Sequence, residues 1–240
     1  MRIENVNISK FYINTFKAKE KLRAPEHYPE KPENMSSFEF DCKFKKLFFE
    51  YLDDKKEELY EYLDRAEFDD GTTLLENLKS MFKEDEPVRK ELSLLHKTYR
   101  ENFEKIKTQG FDPDEIRRTE YGPGFYFGEN EGKLIIYSGG IYKVPFIGKM
   151  AQGKNLKKYN AINTKTISLL RNYLKIPSDY LCAKYWEENE ILRRFVNEYA
   201  RNKIVNDLGI DGASVSGGEG YFIIFNPETI KGIEMLRCSF

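Results

Sequence analysis

The chain has 240 residues, 33% of them charged and 40% hydrophobic, a balance that supports a packed core and excludes wholesale disorder. Its 39 Lys and Arg nearly cancel its 40 Asp and Glu, so no global basic field points to nucleic acid, although a local basic groove is not excluded. No apolar run approaches the roughly 18 residues of a membrane span, and the start, MRIENVNISKFYINTFKAK, lacks the apolar core of a secretory signal.

Residues 1–35 mix short apolar patches with RAPEHYPEKPENMSS, which reads as an extended arm, with His27 on the surface. From Phe40 the pattern becomes helical. Phe40, Phe44, Leu47, Phe48, Tyr51 and Leu52, then Leu59, Tyr62 and Leu63, predict one long helix or two over about residues 37–66. DDGTTLLENLKSMFKEDEP predicts a turn and a further helix, with Leu74, Leu75, Leu78 and Phe82 on one face. Residues 1–90 thus form a mainly helical N-terminal region without visible chemistry, its acids lying on solvated faces.

The texture changes at residue 91. ELSLLHKTY is a short apolar run ending at a polar group. TYRENFEKIKTQG predicts a helix with Thr98 as cap, Glu101 completing a capping box, Phe103 and Ile106 inward, and Gly110 as a left-handed stop. FDPDEIRRTE is a loop. YGPGFYF follows, a turn feeding a strand whose alternation sends Phe125 and Phe127 to the core and Tyr126 to the other face. EGKLIIYSGG predicts a short helix or turn, and IYKVPFIGKM a strand with Pro145 at an edge or bulge.

Two helices come next. Ile167, Leu170 and Leu174 are in register on the first. Ile191, Leu192, Phe195, Val196, Tyr199 and Ile204 are in register on the second, which stops at Gly209. The stretch DGASVSGGEGYFIIFNPETIKGIEMLR reads as loop, strand, Asn-Pro turn and strand. Cys42, Cys182 and Cys238 are odd in number and widely spaced, which fits free thiols in a reducing compartment and offers no metal-ligand spacing. A cytoplasmic chain with no metal is the expectation.

The order of these segments carries a resemblance. A strand ending in His96-Lys97-Thr98, a capped helix ending at Gly110-Phe111, the YGPGFYF element and a late GIDGASVSGGEGYFIIFNPETIKGI follow one another. Over residues 91–237 this resembles the ADP-ribosyltransferase superfamily, in its diphtheria-toxin and poly-ADP-ribose-polymerase-like branch. The resemblance implies an α+β fold with split, mostly antiparallel β-sheets and flanking helices, residues 91–240 forming the catalytic domain. It implies NAD as co-substrate and a toxin- or effector-type mono-ADP-ribosyltransferase, a glycosyltransferase in reaction class. A protein or nucleic acid would be the acceptor, with room for an inhibitor or antitoxin partner and no membrane.

By the same resemblance His96 takes the place of the histidine that bonds the NAD ribose, and Thr98 that of the hydroxyl after it. Tyr126 takes the place of the ring that stacks on nicotinamide, Tyr121 that of an opposite wall, and Glu219 is the nearest acid to the catalytic glutamate. Gly122 and Gly124 would clear space beside the wall, and Arg117 or Arg118 would flank the pyrophosphate. Two departures stand out. Lys97 replaces a glycine of the family, and an ungapped match of FIIFNP puts Tyr221, not Glu219, in the acid's slot. A bulge at Gly220 would bring Glu219 closer to that slot; without it the chain is a catalytically inactive relative acting as a binding or interaction module. A third reading, a helical scaffold with a small sheet, makes the order of motifs a coincidence.

Overall fold

A computed structural model describes residues 50–113, 116, 120–134, 140–175, 186–215 and 220–238. In chain order the elements are α1 (Lys56–Arg65), α2 (Leu74–Lys79), β1 (Val88–Thr98), α3 (Arg100–Gln109), β2 (Phe125–Gly128), β3 (Gly140–Gln152), α4 (Tyr159–Leu174), α5 (Trp186–Asn202), β4 (Gly212–Ser214), β5 (Tyr221–Ile224) and β6 (Glu234–Cys238). This is an α+β chain. It divides into two compact units, one holding the described residues of Met1–Leu74 and Asn163–Val196, the other those of Leu75–Ile162 and Asn197–Phe240. The extended arm, His27, and the helix expected before residue 50 lie outside the described residues.

The first unit is helical. Leu59, Tyr62 and Leu63 recur at helical spacing on α1 and are all buried. Glu57 and Glu58 in its first turn and Arg65 in its last complement the helix dipole. The Tyr62 ring stacks on Tyr173 with centroids 4.1 Å apart. The Tyr173 hydroxyl donates to Glu58 Oε1 at 2.9 Å. Burial pushes the Tyr62 hydroxyl up to about 12, so this aromatic stack carries no charge.

The second unit is built on a six-stranded sheet in the order β1-β2-β5-β4-β3-β6, and an additional β1–β3 pairing closes five of the strands into a ring. β1 and β3 pair antiparallel along all of β1, from Val88 opposite Met150 to Thr98 opposite Gly140. The far edge of β3 carries β6 at Gly140–Lys143 and β4 at Met150–Gln152. This corrects the expectation of split sheets: the sheet is one and it closes on itself. It is mostly antiparallel as expected, and only the β3–β4 step is parallel. Small residues permit the closure. A Cβ on Gly212 would lie 2.9 Å from Ile224 Cδ1 and 3.0 Å from the Ile223 carbonyl. DGAS is therefore a strand wedged between β3 and β5, where the sequence read as loop.

Period-two alternation fills the ring. Leu94, Phe127, Tyr142, Val144, Phe146, Met150 and Ile224 form one buried cluster with Phe111, and Leu92, Phe125 and Phe222 pack against it. Pro145 fits mid-strand because its carbonyl accepts from Lys231, on the side away from β1. Its missing N–H faces that same side, between the stretches of β3 that pair with β6 and β4, so no β1 ladder bond is lost.

Other expectations shift. α2 ends at Lys79, Leu75 is 36% exposed, and Phe82 is buried beyond the helix through a bridge to Gly153. Thr98 is the last residue of β1 and not a cap; Tyr99 occupies the N-cap of α3 without a side-chain bond, so the expected capping box does not form. The long β1–β3 ladder claims Thr98 first. Gly110 ends α3 as expected, at φ 79°.

One carboxylate fastens the ring where it closes. Asp211 Oδ2 accepts from the Lys149 N–H at 2.8 Å, and Oδ1 accepts from Asn226 Nδ2 at 2.7 Å. The Asp211 carbonyl accepts from the Phe225 and Asn226 N–H groups. Gly148 leaves room for the carboxylate, since a Cβ there would lie 2.9 Å from Asp211 Oδ2. We expect Asp211→Ala to lower stability by about 2–4 kcal/mol in urea titrations, because two charge-assisted bonds are lost and their partners stranded. Asp207→Ala, which breaks the Lys203–Asp207 surface pair at 3.0 Å, should cost about 0.5 kcal/mol or less.

Candidate functional site

The segments singled out in the sequence meet on three neighbouring strands, β1, β2 and β5. Their side chains do not all face one way. The register pairs Leu95 with Gly128, which sets His96 beside Phe127. The imidazole lies 5.2 Å from the Phe127 ring and 5.0 Å from the Phe111 ring, edge-on to the latter. Thr98 alternates to the same inner face, and its hydroxyl accepts from Asn102 Nδ2 at 3.5 Å. Tyr126 points the other way. It pairs with Ile223, and Tyr221, two residues along β5, shares that outer face. Lys97 alternates to the same side as Tyr126.

Thus the structure joins His96 to the backbone of Tyr126 and not to its ring. His96 Nδ1 lies 2.9 Å from the Tyr126 carbonyl, which can only accept, so Nδ1 carries the proton and Nε2 keeps its lone pair. Burial against the aromatic rings lowers the His96 pKa to about 4, outweighing the carbonyl bond that favours the charged form. The imidazole is neutral near pH 7.

The phenol of Tyr126 is equally committed. Its oxygen accepts from the Tyr121 N–H at 2.9 Å and donates to the Gly122 carbonyl at 3.2 Å. Both bonds fold the turn before β2 back onto the ring. Tyr121 follows, its centroid 6.2 Å from that of Tyr126, and Lys157 Nζ stands 5.8 Å over the Tyr121 ring. Tyr121 on the tied turn and Tyr126 on β2 thus meet at an interplanar angle of 53°, and Tyr221 on the neighbouring strand shares the Tyr126 face.

The glycines of the turn serve β5. A Cβ on Gly124 would lie 2.6 Å from Ile223 Cγ2 and 2.6 Å from the Ile224 carbonyl. Gly122 has φ 137°, and a Cβ there would meet Phe225 Cε1 at 3.1 Å. The space expected to admit a ligand is filled by the neighbouring strand. Gly220, at φ 72°, interrupts regular alternation just before β5. Glu219, Arg117 and Arg118 lie outside the described residues.

Among the described residues no group of three His, Cys, Asp or Glu could hold a metal ion, and no helix is long and apolar enough to cross a membrane. Sequence patterns missed Lys157 and Asp211. Lys157 has no local signal, because only the fold brings it over Tyr121. Asp211 had a weak one, an Asp-Gly before a strand. Comparison with known proteins finds no matching family model, no matching curated protein and no matching solved structure.

Two outcomes follow. Unfolded histidine binds its proton near pH 6.5 and folded His96 near 4, so between those values the unfolded state holds more protons and stability is lost as pH is lowered. Urea titrations should show wild type losing at most about 3 kcal/mol from this residue between pH 6.5 and 4, a loss that His96→Gln lacks. Tyr126→Phe keeps the ring and removes both hydroxyl bonds, which should cost about 1–2 kcal/mol at neutral pH by the same titration.

Proposed function

We propose that the chain is an NAD-dependent mono-ADP-ribosyltransferase of toxin or effector type, acting on a protein or nucleic-acid target. The observation that carries this reading is the meeting of three distant motif segments on adjacent strands, with Tyr126 and Tyr221 on one face of β2 and β5. The nicotinamide ring would pack against the Tyr121 and Tyr126 rings, which meet at 53°, with the Tyr126 ring fixed by its hydroxyl bonds to the turn. The ligand surface in this reading is the half-buried edge formed by Tyr121, Tyr126 and Tyr221, since Ile223 on the same face is buried, and not a cleft between two sheets.

In the reaction the glycosidic C–N bond breaks and nicotinamide leaves with the bonding electrons. Positive charge develops on the ribose, the acceptor's nucleophile bonds to the anomeric carbon, and the acceptor's proton departs to solvent or a base. Glu219 is the carboxylate assigned to stabilise that charge, a role typically worth about 3–4 kcal/mol. Lys97 would meet the ligand from β1 on the Tyr126 side. His96, neutral and turned inward, would act through the Tyr126 backbone, holding the wall in place.

A second reading, a binding or interaction module without turnover, is favoured by the burial of His96 against Phe111 and Phe127 and by Tyr221 at the first position of β5. Purified chain incubated with NAD separates the two. Under the first, nicotinamide is released, Glu219→Gln lowers the rate by about 100-fold or more, Tyr126→Ala abolishes it, and Tyr126→Phe retains most of it. NAD binding without release assigns the second reading. A folded chain that neither binds NAD nor releases nicotinamide overturns the first reading and leaves only the second.

A further inference from the structure

Lys157 belongs to the short helical turn Leu156–Lys158, just before α4, and is exposed. Its ammonium sits over the Tyr121 ring at 5.8 Å, and among the described residues it makes no ion pair. An aromatic face attracts a cation electrostatically, and the attraction grows when water is excluded. The oxidised nicotinamide of NAD is itself a cation, since its ring nitrogen is bonded to ribose; nicotinamide after release is neutral. A flat ring stacked on Tyr121 would therefore meet a positive charge already resting on the same aromatic group.

Resting on the functional reading above, we propose that Lys157 is a charge gate. It occupies the cation-attracting face of Tyr121 in the free protein, must swing aside when a pyridinium ring stacks there, and disfavours cationic over neutral nicotinamide rings. The lysine is a specificity-setting residue and makes no bond in the reaction. Its position suits the role. Lys157 is itself exposed and its side chain is long, so displacement costs little beyond the lost cation–ring contact. The Tyr121 backbone is held by its own N–H on the Tyr126 hydroxyl, so the residue keeps its place while the ammonium moves.

The sign of the effect is opposite to that of a lysine that grips phosphate. The test uses ligands without phosphate, 1-methylnicotinamide (cationic) and nicotinamide (neutral), titrated by ligand-observed NMR against wild type, Lys157→Gln and Lys157→Arg at low and high salt. We expect Lys157→Gln to bind 1-methylnicotinamide about five-fold more tightly than wild type, in line with an exposed cation–π contact. Nicotinamide affinity should be unchanged, the gain should shrink in high salt, and Lys157→Arg should behave as wild type. If wild type binds nicotinamide but Lys157→Gln leaves 1-methylnicotinamide unchanged or weakens it, the gate is wrong and the functional reading stands. If wild type binds neither ring nor NAD, the functional reading falls and the gate with it.

Discussion

The ring of strands depends on a join of three residue pairs, where β4 lies parallel to β3 between Met150–Gln152 and Gly212–Ser214. So short a ladder holds poorly by its own hydrogen bonds. Asp211 compensates by reaching two other strands' ends from a single side chain, the Lys149 N–H on β3 and the Asn226 amide beyond β5. The price is space: Gly148 and Gly212 have no room for a side chain. With the join made, inward residues of β1, β2, β3 and β5 pack together in the cluster from Leu94 to Ile224.

That closure also fixes the environment of the candidate site. β2 has four residues and is paired fully with β5, from Phe125 opposite Ile224 to Gly128 opposite Tyr221. Its contact with β1 is a single pair. The His96–Tyr126 bond spans this thin seam, and Phe111 and Phe127 close around the imidazole. A histidine in that place acts first as a neutral strut. Its bond holds the strand that carries Tyr126.

The turn before β2 shows how one motif serves two demands. Glycines 122 and 124 let β5 approach to within contact of the backbone, and Phe125 and Phe127 go inward with the core. Tyr126, turned outward, then spends its hydroxyl on the turn itself. The meeting of Tyr121 with Tyr126 is therefore a by-product of close strand packing, and the Tyr126 ring is held by the same bonds that shape the turn. Lys157 arrives over Tyr121 from a separate segment.

Periodicity determined a great deal by itself. The helical faces of α4 and α5, the inward Phe127, the stop at Gly110 and the Asn-Pro turn after β5 are all local signals, because each depends on spacing or on one residue's backbone freedom. Strand alternation placed Tyr126 on the face opposite Phe125 and Phe127. Tertiary structure alone decided the closed ring, the strand at Gly212–Ser214, the inward turn of His96 and the meeting of Lys157 with Tyr121. These depend on which distant strand lies alongside, and a strand's own residues do not encode its neighbour: a free Thr98 reads as a cap until β3 claims it, and Gly124 reads as open space until β5 fills it.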